Sequence, residues 1–165
     1  MQDKGVEGLS VRQLLVQQAS AIAELRRRKL CRSANNPIAD LAEWLVAKGF
    51  DLDLAGNSTA GFDARCGVTG HKYEIKTRRI SSVSRPTHLS VLRALEKHHF
   101  DYLVAVVFAD NFSVFRASKL SFATVERLAR FRDHIHGHLL YLRDIWSAED
   151  VEDVTAQVAD ALESA

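Results

Sequence analysis

The apolar segment YLVAVVF, at positions 102–108, constrains the fold more than any other part of this sequence. It is far too short to cross a bilayer, which takes about 20 residues. Continuous valine-rich runs of this length are typical of strands that are buried on both faces. Because such a strand needs helices on both sides of its sheet, we expect an α/β fold with this segment at its centre.

Helical and extended patterns surround this strand. Asn36 followed by Pro37 is a strong helix start, since asparagine favours the N-cap and proline the first helical position. Gly49 is expected to end that helix, and Ser121 to cap a later one. The predicted elements are helices at 9–30, 37–48, 89–98, 121–131 and 149–162, and strands at 62–66, 72–78, 102–108, 112–116 and 138–145. This order predicts a mixed β-sheet flanked by helices.

The predicted hairpin brings three charged residues together. Glu74 and Lys76 lie two positions apart on the second strand, so they point to the same face. A turn at 67–71 would set Asp63, on the first strand, beside them. Two carboxylates and an ammonium in one small site are costly when each charge loses solvent. A divalent cation resolves the cost, because Mg²⁺ takes oxygen ligands from one or two carboxylates and keeps several waters.

The pattern Gly61-Phe62-Asp63 followed by Glu74-Ile75-Lys76 resembles the PD-(D/E)xK nuclease superfamily. That superfamily includes many restriction endonucleases, Holliday-junction resolvases and repair nucleases. The resemblance covers residues 35–116 in the order of elements. It implies a restriction-endonuclease-like fold, hydrolysis of DNA phosphodiesters, and Mg²⁺ or Mn²⁺ as the cofactor.

The resemblance also implies a role for each residue. Asp63 and Glu74 would be metal ligands, and the backbone carbonyl of Ile75 a further one. Lys76 would be the catalytic lysine that assists the attacking water. Glu43 matches the helix glutamate that some members use as a ligand, and a plain surface carboxylate is the other interpretation. The family's proline before the aspartate is replaced here by Phe62, which departs from the pattern.

The resemblance and the N-terminal helical pattern together predict the domain organisation. An N-terminal helical extension at 1–32 is expected to precede a nuclease-like domain at 33–165. Many members of the superfamily dimerise to cut both strands, so the N-terminal helix is a candidate surface for a homodimer. That helix ends in a basic run at 26–29. Cations at a helix C-terminus are favoured by the helix dipole, and DNA contact is the alternative explanation.

Basic residues surround the motif, and they suggest a surface that contacts DNA. Lysine and arginine contacts to phosphates supply most nonspecific DNA affinity. The candidate DNA-binding residues are Lys72, Arg78, Arg79, Arg85 and His88. A soluble loop that is merely basic is the other interpretation. The formal net charge is only +1, so any DNA affinity must come from such a local patch.

The remaining features indicate a cytoplasmic protein that does not contact membranes. The polar N-terminus is unlike a signal peptide, and the two cysteines, Cys31 and Cys66, do not form a disulfide framework. Three alternating histidines at 134, 136 and 138 could bind zinc, but Gly137 interrupts them and solvated histidines are favoured. Trp44 and Trp146 are predicted to be packing residues.

The alternative function is a catalytically silent module of the same fold that binds DNA or a protein. The sequence leaves open the form of the DNA substrate, any recognition sequence, and the pathway, whether restriction, defence or repair. Retention of both carboxylates and the lysine favours the enzyme, because a binding module would gain nothing from a desolvated charge cluster.

Overall fold

The computed structural model describes residues 5–34, 36–56 and 61–164. The chain divides into two compact units, Met1–Leu41 and Ala42–Ala165. The predicted N-terminal extension falls within the first unit. Residues 57–60, just before the predicted strand at 62–66, and Asn35, where the family resemblance begins, lie outside the described residues. None of the helices in the described ranges is long and apolar enough to cross a membrane.

The structure contains five helices and eight strands within the described residues. The helices are α1 (Val11–Arg27), α2 (Ile38–Phe50), α3 (Phe122–Leu128), α4 (Leu142–Ser147) and α5 (Thr155–Glu163). The strands are β1 (Asp53–Leu54), β2 (Ala64–Arg65), β3 (Lys72–Arg79), β4 (Tyr102–Phe108), β5 (Val114–Ser121), β6 (Arg130–Arg132), β7 (Gly137–Leu139) and β8 (Glu152–Asp153). Short 3₁₀ turns occupy Leu95–Lys97 and Asp133–Ile135.

The first unit is dominated by α1, which begins in a capping box. The Ser10 side chain accepts a hydrogen bond from the Gln13 N–H, and the Gln13 side chain accepts one from the Ser10 N–H at 2.8 Å. At the other end, Arg27 and Arg28 form ion pairs with Glu24 at 2.7 and 2.8 Å. The basic run therefore has an acidic partner on its own helix.

The main sheet has six strands in the order β1-β2-β3-β4-β5-β8. Strands β3 and β4 are parallel and all other neighbours are antiparallel. The predicted mixed α/β class is therefore confirmed. The prediction for β4 is confirmed as well, because six of its seven residues are buried. Leu103, Ala105 and Val107 on one face of β4 join a core that includes Leu120, Val125, Leu140 and Ile145.

The predicted helix at 89–98 is wrong. The N–H groups of Leu89 and Leu92 donate to the carbonyl oxygens of Leu140 and His138, each at 2.9 Å. Backbone groups used in this pairing are not available for helical hydrogen bonds. Leu89, Leu92 and Leu95 have a spacing that suits a helix, but they enter the core from an extended segment that ends in the 3₁₀ turn at Leu95–Lys97.

Several predicted boundaries also change. Ser121 caps α3 as predicted, with the Thr124 N–H donating to its hydroxyl at 3.2 Å. The helix is shorter than expected because the residues after it form β6, which pairs with β7. The predicted strand at 138–145 is limited to β7, and α4 follows it. The closing helix starts late because β8 first pairs with β5, and α2 continues through Gly49 to Phe50.

Candidate active site

Hydrogen bonds hold Asp63 against β3, immediately before β2 begins. Its N–H donates to the carbonyl oxygen of Tyr73 at 2.8 Å, and its own carbonyl oxygen accepts from the Ala55 N–H at 2.8 Å. Its carboxylate Oδ2 accepts from the Ile75 N–H at 2.7 Å. The carboxylate is thus fixed beside the strand that carries Glu74 and Lys76, which is the arrangement that the hairpin predicts.

The approach of the chain to Asp63 depends on a glycine. Gly61 has a φ of +96°, a conformation that L side chains rarely adopt. A Cβ atom at this position would lie 2.4 Å from the Cβ of His99. A larger residue at position 61 would therefore clash with His99 and displace Asp63, which lies two positions further along the chain.

Glu74 and Lys76 lie on the face of β3 that is continuous with the apolar core. Their register partners on the parallel strand β4 are Leu103 and Ala105, which are 0% and 2% exposed. The side chains of Glu74 and Lys76 are only 15% and 19% exposed, and they form a direct ion pair. An ion pair in these surroundings loses most of its hydration, which is costly to folding.

The pKa of Glu74 is raised above its ordinary value of 4.5. Burial is the main cause, and the negative charge of Asp63 adds to it, while the Lys76 ammonium acts in the opposite direction. The structure thus brings Asp63, Glu74 and Lys76 close enough to influence one another. When all three are ionised, two negative charges face one positive charge, and a further cation would balance the site.

The donor set fits a divalent cation of the Mg²⁺ type. Among the residues that the structure describes, no three His, Cys, Asp or Glu side chains gather to hold a metal ion. Glu43 lies half-buried on α2. Among the described residues it does not form a three-carboxylate group with Asp63 and Glu74. Mg²⁺ does not require one, because it binds proteins through one or two carboxylates and retains waters. The role of Glu43 stays a prediction.

Three of the five candidate DNA-binding residues hold the loop that follows β3. The Arg78 Nε donates to the carbonyl oxygen of His88 at 3.0 Å. The Arg79 Nη2 donates to the carboxylate and carbonyl oxygens of Asp110 at 2.7 and 2.8 Å. The ring of His88 contacts its neighbour, with Nδ1 donating to the Leu89 carbonyl oxygen at 2.7 Å. All three side chains are therefore hydrogen-bonded within the protein.

The other two candidates are exposed. Lys72, the first residue of β3, places its Nζ 5.2 Å from the centre of the Phe62 ring. Arg85 lies in the loop after β3 and is exposed to solvent. DNA contact by any of the five residues stays a prediction, and the Lys72 and Arg85 side chains are the two that are exposed to solvent.

A groove that no sequence pattern predicts lies where β3 and β4 end. Its volume is about 560 Å³, within the range of small-ligand sites. Its lining includes Ile80, Arg85, Phe115, Leu142, Arg143 and Trp146. These residues come from three separate segments of the chain, so no local pattern could reveal the groove. Trp146, predicted to be a packing residue, forms part of its wall.

Comparison with known proteins adds no assignment. No model of a known protein family matches the chain, and no curated protein matches it either.

Proposed function

We propose that this protein is a Mg²⁺-dependent DNA endonuclease with a restriction-endonuclease-like fold. The observation that carries the proposal is the group of Asp63, Glu74 and Lys76. The Asp63 carboxylate is hydrogen-bonded to the strand that carries Glu74, the pKa of Glu74 is raised by burial and by the charge of Asp63, and the lysine is only 19% exposed. A cluster of this kind destabilises the fold, and perturbed carboxylates in such surroundings mark functional sites.

In this proposal Asp63, Glu74 and the Ile75 carbonyl hold the metal. Bound Mg²⁺ or Mn²⁺ would polarise the phosphodiester and lower the pKa of a coordinated water. Lys76 would donate a hydrogen bond to the attacking water or to a phosphate oxygen and stabilise the developing negative charge. Leu103 and Ala105, the buried register partners of Glu74 and Lys76, lie beside them on β4, and a low local dielectric strengthens such interactions.

Cleavage of DNA by the wild-type protein tests the proposal. We expect supercoiled plasmid, linear duplex, branched or single-stranded DNA to be cut with Mg²⁺ or Mn²⁺ and to stay intact with a chelator. Asp63→Asn should be inactive, since the amide loses the charge that holds the metal but can still accept the Ile75 hydrogen bond. Intact DNA in every one of these reactions, with no binding of divalent ions, would support the silent binding module instead.

A homodimer stays a prediction. Among the described residues of α1 none is buried, and Val11, Leu15 and Val16 are 74%, 60% and 57% exposed. Apolar side chains on one exposed helix are compatible with contact to a second copy, which light scattering at micromolar concentration would detect.

Divalent ions are expected to stabilise the protein more as pH rises. In the metal-free protein the folded-state pKa of Glu74 is raised. Its contribution to stability is therefore full below its unfolded-state pKa and is lost as pH rises through its folded-state pKa. Mg²⁺ can then occupy the place of the proton. At 100 times its Kd, it would add about 2.7 kcal/mol, which for a chain of this size is roughly 5–11 °C in Tm.

Thermal unfolding with and without Mg²⁺, measured between about pH 5 and pH 8, checks this expectation. Glu74→Gln should lose the gain at every pH, and Asp63→Asn should lose it too. A gain in Tm that is the same at all pH values, or that survives in both variants, would show that the ions bind elsewhere.

A further inference from the structure

We infer that the groove at the ends of β3 and β4 binds one unpaired nucleotide of the DNA strand, with the base against Trp146 and Phe115 and the neighbouring phosphates at Arg85 and Arg143. The inference rests on the proposed function and deepens it, because it names single-stranded or locally unpaired DNA as the substrate class.

The groove offers an aromatic surface. The Phe115 and Trp146 rings lie 6.1 Å apart, centre to centre, and are inclined by 57°. Phe115 is a large apolar residue on β5, and it is 55% exposed. The Arg116 guanidinium lies 5.3 Å from the centre of the Trp146 ring, and its buried Nε has no hydrogen-bond partner in the described part of the chain. Rings of this kind stack on base faces irrespective of sequence.

The charge at the rim suits a phosphate backbone. Arg85 and Arg143 both line the groove, and the Arg143 side chain is 87% exposed although its Nε lies 3.5 Å from the Asp144 carboxylate. The groove also contains one carboxylate, that of Asp110, which forms an ion pair with Arg79 at 2.7 Å. The rim therefore presents two exposed arginines, and the carboxylates beside them, Asp110 and Asp144, are ion-paired with Arg79 and Arg130. A chain of phosphates complements such a rim.

The position of the groove connects it to the proposed active site. Ile80, in its lining, directly follows β3 and lies four residues after Lys76, which is about 13 Å along an extended chain. Ile80 and Trp146 pack against the same core as Leu103 and Ala105, the register partners of Glu74 and Lys76. Groove and carboxylates thus lie on one face of the sheet, and one DNA strand could reach both.

An unpaired nucleotide fits this arrangement better than a duplex. In a duplex the faces of each base are covered by the neighbouring bases. An aromatic wall can only stack on a base whose face is free, as in single strands, flaps and loops. The groove is also concave and walled by apolar side chains, whereas duplex backbone needs an open polar surface.

Tryptophan fluorescence provides the test. The chain has two tryptophans, so Trp44→Phe leaves Trp146 as the sole reporter. With a chelator present to prevent cleavage, an oligonucleotide of unpaired thymidines should quench this fluorescence, and a duplex of equal length should not. Fluorescence anisotropy with the labelled oligonucleotide should show binding weakened about 5-fold to 150-fold in Trp146→Ala. Trp146→Phe should restore most of it.

A matched pair of variants separates stacking from general loss of an aromatic residue. Phe115→Ala should weaken binding to the single strand, whereas Phe131→Ala should not, although Phe131 is exposed to a similar degree, 53% against 55%. If the protein cleaves DNA but Trp146 is not quenched and Trp146→Ala binds as wild type does, the groove proposal is overturned and the nuclease proposal stands. Absence of both binding and cleavage would overturn both.

Discussion

Replacing Lys76 with alanine is expected to lower the rate of metal-dependent DNA cleavage about 100-fold to 1,000-fold. Lys76 forms an ion pair with Glu74 in the group that would surround the scissile phosphate. Removal of a single charged hydrogen-bond donor that acts on developing charge typically has an effect of this size. The measurement is the single-turnover rate of nicking of supercoiled plasmid at saturating Mg²⁺.

The variant should keep its metal site, which distinguishes loss of a catalytic residue from loss of structure. Asp63 and Glu74 remain in Lys76→Ala, and without the ammonium their negative charge attracts a cation more strongly. The metal-free variant is expected to be less stable than wild type, because Glu74 loses its partner while still buried. Added Mg²⁺ should restore much of the lost Tm.

Lys119 provides a matched control. Its side chain is 22% exposed, close to the 19% of Lys76, and it also forms an ion pair, with Glu152 at 3.1 Å. Lys119→Ala should cleave at the wild-type rate. Nicking by Lys76→Ala at the wild-type rate would remove Lys76 from the proposed mechanism, and an equal loss in both variants would point to a general effect on folding.

The parts of this fold that could be predicted are those governed by short-range patterns. The apolar run of β4 indicated a strand buried on both faces, and alternation in β3 placed Glu74 and Lys76 on one face. The two-residue period of a strand and the glycine-containing turn were sufficient to bring Asp63 beside them. Each of these features is set by residues that are close in sequence.

The features that could not be predicted depend on contacts between distant segments. The leucines at 89, 92 and 95 have a spacing that suits a helix, and only pairing of the segment with residues 138–140 shows that it is extended. The groove likewise combines the loop after β3 with parts of β5 and α4. Arg78 looked like a DNA contact in the sequence, but it donates to the backbone of His88, a partner ten residues away.

Replacing Leu103 with alanine is expected to lower the free energy of unfolding by about 2–5 kcal/mol. Leu103 is a residue of β4 and is fully buried in the core. Its truncation removes apolar contacts and leaves a cavity that close-packed neighbours fill only partly. For a chain of this length the corresponding fall in Tm is roughly 4–20 °C, measurable by thermal or urea denaturation.

Val68→Ala is the control for a side chain outside the core. Val68 is 96% exposed in the turn of the hairpin, so its truncation should change the free energy of unfolding by no more than about 0.5 kcal/mol. If Leu103→Ala lowered the free energy of unfolding by less than about 1 kcal/mol, that would contradict close packing around Leu103.

Leu103→Ala should also alter the pH dependence of metal binding, because Leu103 is the register partner of Glu74. Burial is the largest cause of the raised Glu74 pKa, and a cavity that admits water beside the carboxylate would reduce it. The gain in Tm from Mg²⁺ should then persist to lower pH in Leu103→Ala than in wild type. An unchanged pH profile in a clearly destabilised variant would mean that side chains other than Leu103 exclude water from Glu74.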